Sequence, residues 1–441
     1  VHPNIRGDEL RRRFAIPLTE TPRDPGEVLR ELVDAAEPGL VATSGPRYFG
    51  FVIGGAYPVS IAADWLTSAW DQHGTFFASS PASSVCEDAV ASWLRDLFGL
   101  PPAAGVGFTT GCQMANFAAL AAARNALLAG AGWNVERDGL RNAPPLAIVA
   151  GEEAHVTISA ALRLLGFGAA GVHLVPSDEQ GRMRAELLED VLQRVGCPSI
   201  VCAQAGNVNS GAFDPFETIC EVTHRHGGWV HVDGAFGIWA AASPRYRALT
   251  VGLEDADSWA ADAHKWLNVP YDSGFVIVRN AAALRGAMTL SASYLQQTEG
   301  AERDGIDWVP ESSRRARGFV LWATLQTLGR SGVAELVDRC CALARQFAER
   351  LSRERGVTIV NEVVLNQVLV HLDPPAGRDA TEFTRDVTAR VQRSGICWLG
   401  STTWHGVPAL RISVSGWNTT PADVELSSSA IVDAYRAAAA V

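Results

Sequence analysis

Several features that would set this chain apart from ordinary globular proteins are missing from its sequence. None of its eight cysteines forms a Cys-x-x-Cys pair, and they are scattered over 441 residues, so neither a disulfide framework nor a cysteine-ligated metal is expected. No apolar run reaches the roughly 18 residues of a membrane-spanning helix, and the Arg-rich start shows no secretory signal pattern. We therefore expect a cytoplasmic protein with reduced thiols and no membrane partner.

Positive charge is outweighed by negative charge. The formal net charge is -11 at pH 7, and a surface of this sign repels phosphate backbones, so no nucleic-acid partner is expected. Hydrophobic residues make up 47% and charged residues 19% of the chain, which is an ordinary globular balance. A chain of this length exceeds one ordinary core and predicts a large domain with smaller units beside it.

Short apolar runs alternate with helical patterns in the middle of the chain. Strand-like runs occur at residues 106–109, 146–150, 172–175, 200–204, 229–232, 258–261 and 275–278, and helical patterns such as 114–128, 185–195 and 216–226 separate several of them. This alternation predicts an α/β fold with a mostly parallel, seven-stranded sheet and helices on both faces. In such sheets ligands bind outside the carboxyl ends of the strands.

The flanking segments differ from this alternating region. We interpret residues 1–80 as an N-terminal arm and dimerisation segment, and residues 81–330 as the large domain. Residues 331–441 carry strand patterns at 357–360, 368–372 and 409–414 and helical patterns at 381–393 and 421–439. They predict a separate, smaller α+β domain at the C-terminus.

The strongest functional signal is a pair of short motifs on two successive strands. Asp233 ends an apolar strand within His-Val-Asp-Gly-Ala, and Lys265 closes the next strand-like run within Asp-Ala-His-Lys-Trp. An enzyme that uses pyridoxal 5'-phosphate (PLP) needs a lysine that forms a Schiff base with the cofactor and a carboxylate that keeps its pyridine nitrogen protonated. Taken singly, such residues are more often turn or surface residues, so the prediction depends on their combination.

These residues resemble the PLP-dependent group II amino acid decarboxylases, which have the aspartate aminotransferase-like fold, also called fold type I. The family pattern is His-Val-Asp-Ala-Ala followed by His-Lys-Trp, and Gly234 replaces its first alanine here. The resemblance implies that Lys265 and Asp233 are catalytic and bind the cofactor. It also implies that Ala235 packs against the cofactor ring and that His264 lies beside it.

Other landmarks follow in the family's order. His155, after an alanine, matches the imidazole that stacks on the cofactor ring. Gly111, Cys112 and Gln113 match the phosphate loop, where backbone N–H groups and a helix N-terminus favour a dianion. Cys112 and Gln113 depart from the small residues that are more usual there. Asn207 stands where the family often carries a hydroxyl residue, so its hydrogen bonds are expected to differ.

Tyr294 is the residue that bears on the choice of reaction. It matches a family tyrosine on a loop that reaches the neighbouring subunit's site and protonates the substrate carbon after CO2 leaves, which implies decarboxylation of an L-amino acid to its amine. Because PLP also supports other reactions, two alternatives stay open. One is a PLP-dependent aldolase, carbon–carbon lyase or aminotransferase on the same scaffold, and the other is a non-catalytic PLP-fold binding protein.

Four residues are candidates for binding the substrate. Phe51, together with His73 and Thr75 contributed by a partner subunit, falls where family members line the side-chain pocket. Arg411 lies on a C-terminal strand from which the fold often brings an arginine to a substrate carboxylate. The resemblance implies a homodimer with shared active sites. The small and polar pocket residues suggest that the substrate need not be an aromatic amino acid.

Three histidines close together in the sequence invite a metal interpretation. His224, His226 and His231 lack an acidic or cysteine fourth ligand at a recognised spacing. We therefore expect no metal site and interpret them as surface histidines plus one buried beside the cofactor strand.

Overall fold

A computed structural model describes residues 5–290 and 302–440 of the chain. The α-helices are α1 (Gly7–Phe14), α2 (Pro25–Ala36), α3 (Pro58–Trp70), α4 (Pro81–Phe98), α5 (Cys112–Gly130), α6 (Val135–Asp138), α7 (Val156–Leu164), α8 (Leu188–Val195), α9 (Phe216–Arg225), α10 (Ala281–Met288), α11 (Gly318–Leu351), α12 (Ala380–Ser394) and α13 (Pro421–Ala439). The strands are β1 (Gly105–Thr109), β2 (Ala147–Gly151), β3 (Val172–Val175), β4 (Ser199–Gln204), β5 (Trp229–Asp233), β6 (Ser258–Asp262), β7 (Gly274–Val278), β8 (Val357–Ile359), β9 (Gln367–Leu372), β10 (Gly400–Trp404) and β11 (Val407–Ser413).

The large sheet has seven strands in the order β1-β7-β6-β5-β4-β2-β3. Strands β3, β2, β4, β5 and β6 are parallel, whereas β7 is antiparallel to both of its neighbours. The prediction of a mostly parallel seven-stranded sheet is confirmed. All strands except the edge strand β3 are buried along their whole length, which explains why they are apolar without alternation.

The sheet brings the carboxyl ends of distant strands together. Because β7 reverses direction between β1 and β6, those two strands run the same way, and Gly274 pairs with both Thr109 and Asp262. The chain turns from β1 into α5 so close to β7 that a Cβ on Gly274 would lie 2.5 Å from the Cα of Gly111. Gly274 therefore lets the start of α5 rest against this edge of the sheet.

Helix α5 lies against the sheet through an alanine-rich surface. Its buried residues include Ala115, Ala118, Ala119 and Ala122, and it contacts β5, β6 and β7. Alanine has the highest helix propensity, and its small side chain lets a helix approach a sheet closely. The helix therefore holds its N-terminus at the edge where β5 and β6 end.

A buried ion cluster joins α4 to the segment that begins at residue 302. Both carboxylate oxygens of Glu87 accept hydrogen bonds from Arg314, at 2.7 and 2.8 Å, and one also accepts from Arg303 at 3.2 Å. All three side chains are almost fully buried. Burial opposes the charge of Glu87, but Arg314 and Arg303 outweigh it and lower the pKa of that carboxyl.

The second sheet is antiparallel, in the order β10-β11-β9-β8, and packs against α11 and α12, which in turn contact α13. Its strand β10 was not predicted, because Gly-Ser-Thr-Thr-Trp lacks an apolar run and is partly exposed. Helix α11 spans the predicted boundary at residue 330, and the backbone of Gly329 (φ 58°, ψ -178°) interrupts it there. The division of the chain into three domains stays a prediction.

The N-terminal segment packs loosely on the rest of the chain. No residue between 5 and 47 is buried, although α1 and α2 carry apolar side chains, and Leu18 is 97% exposed. Helix α3 was not predicted, and it presents Trp65 at 71% exposure. Among the helices of residues 5–290 and 302–440, none has both the length and the hydropathy needed to cross a lipid bilayer.

Candidate active site

Lys265 lies in the turn between β6 and β7, at the edge of the sheet where β5 and β6 end. It is the only lysine among the 441 residues, a signal that inspection of the sequence could have used and missed. The side chain is largely buried, and its Nζ lies 2.9 Å from Oδ2 of Asp262. Burial disfavours the charged amine, but the Asp262 carboxylate outweighs it and raises the pKa of Lys265.

Asp262 was not among the predicted site residues. It ends β6, its side chain is 4% exposed, and its Oδ1 accepts a hydrogen bond from the backbone N–H of Cys112 at 2.6 Å. The same oxygen lies 3.3 Å from Nε2 of His264. This carboxylate therefore joins the lysine to the first residue of α5.

Asp233 ends the neighbouring strand β5 and is also buried. Its Oδ1 accepts hydrogen bonds from the N–H of Ala235 at 3.1 Å and the thiol of Cys112 at 3.3 Å. Its Oδ2 accepts from the amide of Asn116 at 3.1 Å. Three donors therefore hold this buried carboxylate in place.

A chain of hydrogen bonds leads through the sheet to Asp233, and each group in it donates to the next one along the chain. The indole N–H of Trp229 donates to Ser258 Oγ at 2.9 Å, and Ser258 lies 3.0 Å from Nδ1 of His231. Because the indole can only donate, the hydroxyl proton of Ser258 is free to donate to His231. Nε2 of His231 then donates to Asn116 Oδ1 at 2.9 Å, which orients the Asn116 amide toward Asp233. Burial lowers the pKa of His231 to about 4 and keeps the ring neutral.

His155 caps the N-terminus of α7 and shares a pocket wall with Asp233. Its Nδ1 lies 2.8 Å from Oγ1 of Thr157, which fixes the ring. Burial lowers the pKa of His155, while the charges of Asp233, Lys265 and Arg411 all act on it. The structure thus brings together the imidazole, the carboxylate and the amine that the sequence suggested.

Gly111, Cys112 and Gln113 form the first turn of α5 beside Lys265. A Cβ on Gly111 would lie 3.2 Å from both Asp262 Oδ1 and the ring of His264, so this turn is tightly packed. Nδ1 of His264 accepts from the Ser273 N–H at 3.1 Å, which leaves its Nε2–H directed toward Asp262. Burial lowers the pKa of His264 and favours this neutral form.

Asn268, which the sequence analysis also missed, fixes the backbone that carries Lys265. This fully buried residue has a left-handed backbone (φ 58°), and its Oδ1 accepts from the N–H groups of Gly55 at 2.5 Å and Trp417 at 2.9 Å. A Cβ on Gly54 would lie 1.9 Å from the Lys265 carbonyl oxygen. Position 54 therefore requires glycine, because the chain passes beside this backbone there.

The side chain of Asn207, which stands where the family often carries a hydroxyl residue, bonds to the backbone of the turn that follows it. Its Oδ1 accepts from the N–H groups of Asn209 at 2.8 Å and Ser210 at 3.1 Å. Within the described parts of the chain, its buried Nδ2 has no hydrogen-bond partner. Asn207 therefore retains a free donor.

Arg411 and Phe51 meet through strand β11. Ser413, two residues after Arg411, donates to the carbonyl of Phe51 at 2.7 Å, and the Phe51 ring stacks on Trp398 with centroids 5.5 Å apart. Over residues 5–290 and 302–440, the guanidinium of Arg411 has a 3.5 Å contact to the Val208 carbonyl and no ion pair. Burial lowers its pKa.

His73 and Thr75 lie in a different place within the same chain. The buried hydroxyl of Thr75 donates to the carbonyl of Ser312 and lies 3.2 Å from His73 Nε2, while His73 forms a backbone bridge with Arg315. The structure does not bring these two residues to Lys265. Tyr294 lies outside the described residues.

The three histidines considered as metal ligands face three different partners. His224 lies 2.9 Å from Asp257 and His226 lies 2.7 Å from Glu189, whereas His231 belongs to the chain that ends at Asp233. Their side chains do not converge on one point.

A single buried lysine, a carboxylate with three donors, a neutral imidazole and a helix N-terminus meet at one edge of a mostly parallel sheet. This donor set fits PLP, which requires an amine for its aldehyde, an anion for its ring nitrogen and backbone donors for its phosphate. The class of protein that the fold and the site define is therefore a PLP-dependent enzyme of fold type I.

Comparison with known proteins identifies the family. The family described as "Pyridoxal-dependent decarboxylase conserved domain" matches residues 9–372, and the chain belongs to it. The acidic amino acid decarboxylase GADL1 of Xenopus tropicalis is 30% identical over 81% of this chain and 70% of its own length. Tryptophan decarboxylase 1 of Oryza sativa is 29% identical over 94% and 84%.

The fold agrees with that assignment. The crystal structure of Oryza sativa TDC with PLP and tryptamine superimposes with a TM-score of 0.92 at 25% identity, covering 99% of this chain and 93% of that one. The protein is therefore a PLP-dependent amino acid decarboxylase, that is, a carboxy-lyase, and the aldolase, aminotransferase and non-catalytic alternatives are not favoured.

Proposed function

We propose that this enzyme converts an L-amino acid into its amine and CO2, with Lys265 as the amine that anchors PLP and Asp233 as the partner of the pyridine nitrogen. The observation that carries the proposal is the only lysine of the chain, largely buried beside the end of β5 and the start of α5. When bound, PLP supplies an electron sink for the carbanion left by decarboxylation.

The remaining site residues take roles that follow from their positions. His155, held by Thr157 and kept neutral by burial, is the ring that stacks on the cofactor. The turn formed by Gly111, Cys112 and Gln113 holds the phosphate at the N-terminus of α5, and Ala235 packs against the ring. Tyr294 protonates the substrate carbon, and a hydroxyl is suited to that transfer.

Arg411 is the proposed contact for a carboxylate of the substrate. Within residues 5–290 and 302–440 the partly buried guanidinium has no ion-pair partner, and a bound carboxylate would supply one in the bidentate geometry that arginine favours. Replacement by methionine keeps an unbranched side chain that can remain partly buried but removes its charge. We expect Arg411→Met to raise KM far more than it lowers kcat, and an unchanged KM would refute the assignment.

We propose that the substrate is not restricted to aromatic amino acids. Relatives of similar identity are named for acidic amino acids and for tryptophan, so identity does not choose between the two classes. Support comes from the polar and exposed His73, which would reach the site from the partner subunit, whereas Thr75 is buried within its own chain. A panel of amino acids scored for CO2 and amine tests this, and exclusive turnover of aromatic substrates would refute it.

A homodimer with shared active sites is the proposed assembly. The exposed apolar side chains of the arm and of α3, among them Leu18, Leu29, Leu40, Trp65 and Trp70, need a cover that the described parts of one chain do not supply. Mixing Lys265→Ala and Tyr294→Phe subunits tests the sharing of residues. Partial recovery of amine formation is expected, and its absence in a demonstrated mixed dimer would refute shared sites.

We also propose a cytoplasmic location. All eight cysteines are free, and burial raises the thiol pKa of seven of them, which disfavours the reactive thiolate. Eight titratable thiols after denaturation without reductant are the expected result, whereas fewer would indicate disulfides.

The role of Lys265 has a direct test. Wild-type protein with PLP should absorb near the edge of the visible range, and borohydride should abolish that band and leave a covalent adduct. Because the chain has one lysine, the adduct must map to residue 265. Lys265→Arg keeps the charge as a matched control for Lys265→Ala, and an adduct that persists in either variant would refute the proposal.

A further inference from the structure

The carboxylate of Asp262 occupies a place that the cofactor phosphate would also use. Its Oδ1 accepts the N–H of Cys112 at 2.6 Å, which belongs to the turn proposed to hold the phosphate. Its Oδ2 lies 2.9 Å from Nζ of Lys265. The N-cap residue Gly111 offers no side-chain cap, so Asp262 is the group that caps this helix.

The negative charge of Asp262 affects the binding of a second anion at the N-terminus of α5. A helix N-terminus favours an anion, and the side chain of Asp262, 4% exposed, already supplies one. A phosphate dianion at the same N-terminus adds charge of the same sign at close range, where little water is present to screen the repulsion. The chain's own carboxylate and the phosphate therefore oppose each other.

We propose that Asp262 is a positioning residue that serves as the counter-ion of Lys265 in the cofactor-free chain and competes with the cofactor's phosphate for the N-terminus of α5. It keeps the amine as an ammonium ion and weakens the binding of phosphate-bearing ligands. This inference rests on the proposed phosphate position at α5.

Several groups besides Asp262 interact electrostatically with the Lys265 amine. From α5 and the neighbouring strands, the groups that face or act on it are Cys112, Asp233, His155, His264 and Tyr271. Burial would lower the pKa of this lysine, and Asp262 is in direct contact with Nζ, at 2.9 Å. Loss of the Asp262 charge should therefore let burial prevail.

The single lysine gives a clean measurement on the full-length, cofactor-free chain. Biosynthetic labelling with [ε-13C]lysine yields one side-chain signal, and its shift is followed against pH. We expect the wild-type amine to titrate above its ordinary value of about 10.4, and Asp262→Asn and Asp262→Ser to lower it by at least about one pH unit. Titration of the wild-type amine below the ordinary value would overturn the proposal without any variant.

Asp257 provides the matched control. It lies just before β6, where its carboxylate accepts the Val230 N–H at 2.8 Å and pairs with His224, so Asp257→Asn removes equal charge at the opposite end of the same strand. The second measurement is the dissociation constant for inorganic phosphate. We expect Asp262→Asn to bind phosphate at least about tenfold more tightly, and Asp257→Asn to match wild type.

Each outcome separates the inference from the proposed function. Unchanged or weaker phosphate binding in Asp262→Asn, or an amine that titrates as in wild type, would overturn the role of Asp262. Neither measurement uses amino acid turnover. Failure of the substrate panel to yield any amine would refute the proposed function and leave both results standing.

Discussion

Replacement of Asn116 by leucine should test whether the hydrogen-bond chain behind Asp233 stabilises the protein. Leucine has a similar volume and a slightly better helix propensity, but it can neither donate to Asp233 nor accept from His231. Both neighbours are buried, so the change leaves one acceptor and one donor without partners. The substitution removes polar contacts with little change in packing.

The magnitude follows from those two groups. Each orphaned buried polar group costs about 1–3 kcal/mol, and the gain in helix propensity offsets only about 0.5 kcal/mol. We therefore expect Asn116→Leu to lower the free energy of unfolding by about 2–5 kcal/mol. Asp233 loses one of its three hydrogen-bond donors, so the affinity for PLP should also fall, by tenfold for every 1.4 kcal/mol of lost binding free energy.

Urea unfolding of the cofactor-free chain, followed by tryptophan fluorescence, measures the effect. His231→Leu and the double variant complete a thermodynamic cycle, in which the double variant should cost less than the sum of the single changes because it removes the orphaned His231 donor. A loss below about 1 kcal/mol for Asn116→Leu, or strict additivity in the cycle, would refute a coupled chain through Asn116.

Three further predictions use other groups. Because burial lowers the pKa of His231 to about 4 while an unfolded histidine titrates near 6.5, the unfolded state binds the extra proton between these values, so stability should fall by roughly 3 kcal/mol as the pH drops through this window. His231→Gln should flatten this part of the stability–pH curve, and an unaltered slope would count against it. Glu87→Gln should cost about 3–5 kcal/mol in urea unfolding, because it strips Arg303 and Arg314 of a shared buried anion; a cost near zero would contradict that account. Tyr294→Phe should lower amine formation by about 10²–10⁴-fold with the PLP absorbance retained, and undiminished amine output would exclude it as the proton donor.

The sequence anticipated the sheet well because its strands are short apolar runs between helical patterns. Each of the seven predicted strands lies within one or two residues of its observed bounds. Strand β10 was not predicted, since Gly-Ser-Thr-Thr-Trp lacks an apolar run. Helix α3 was not predicted either, because the stretch of residues 48–80 around it is rich in glycine, aromatic residues and serine. The antiparallel direction of β7 was not predicted either. Strand direction depends on how the chain turns after Lys265 and not on the residues of the strand.

The sequence by itself determined the family and the cofactor, and it led to the proposal of Lys265 and Asp233 as the residues that hold PLP, because these depend on residue types at short spacings. Only the tertiary structure decided which groups surround them. Asp262 meets the start of α5, and Asn116 meets Asp233, across 150 and 117 residues of chain. Such contacts arise from the packing of α5 on the sheet, and no local pattern encodes them, so the protonation states at this site are set by the fold.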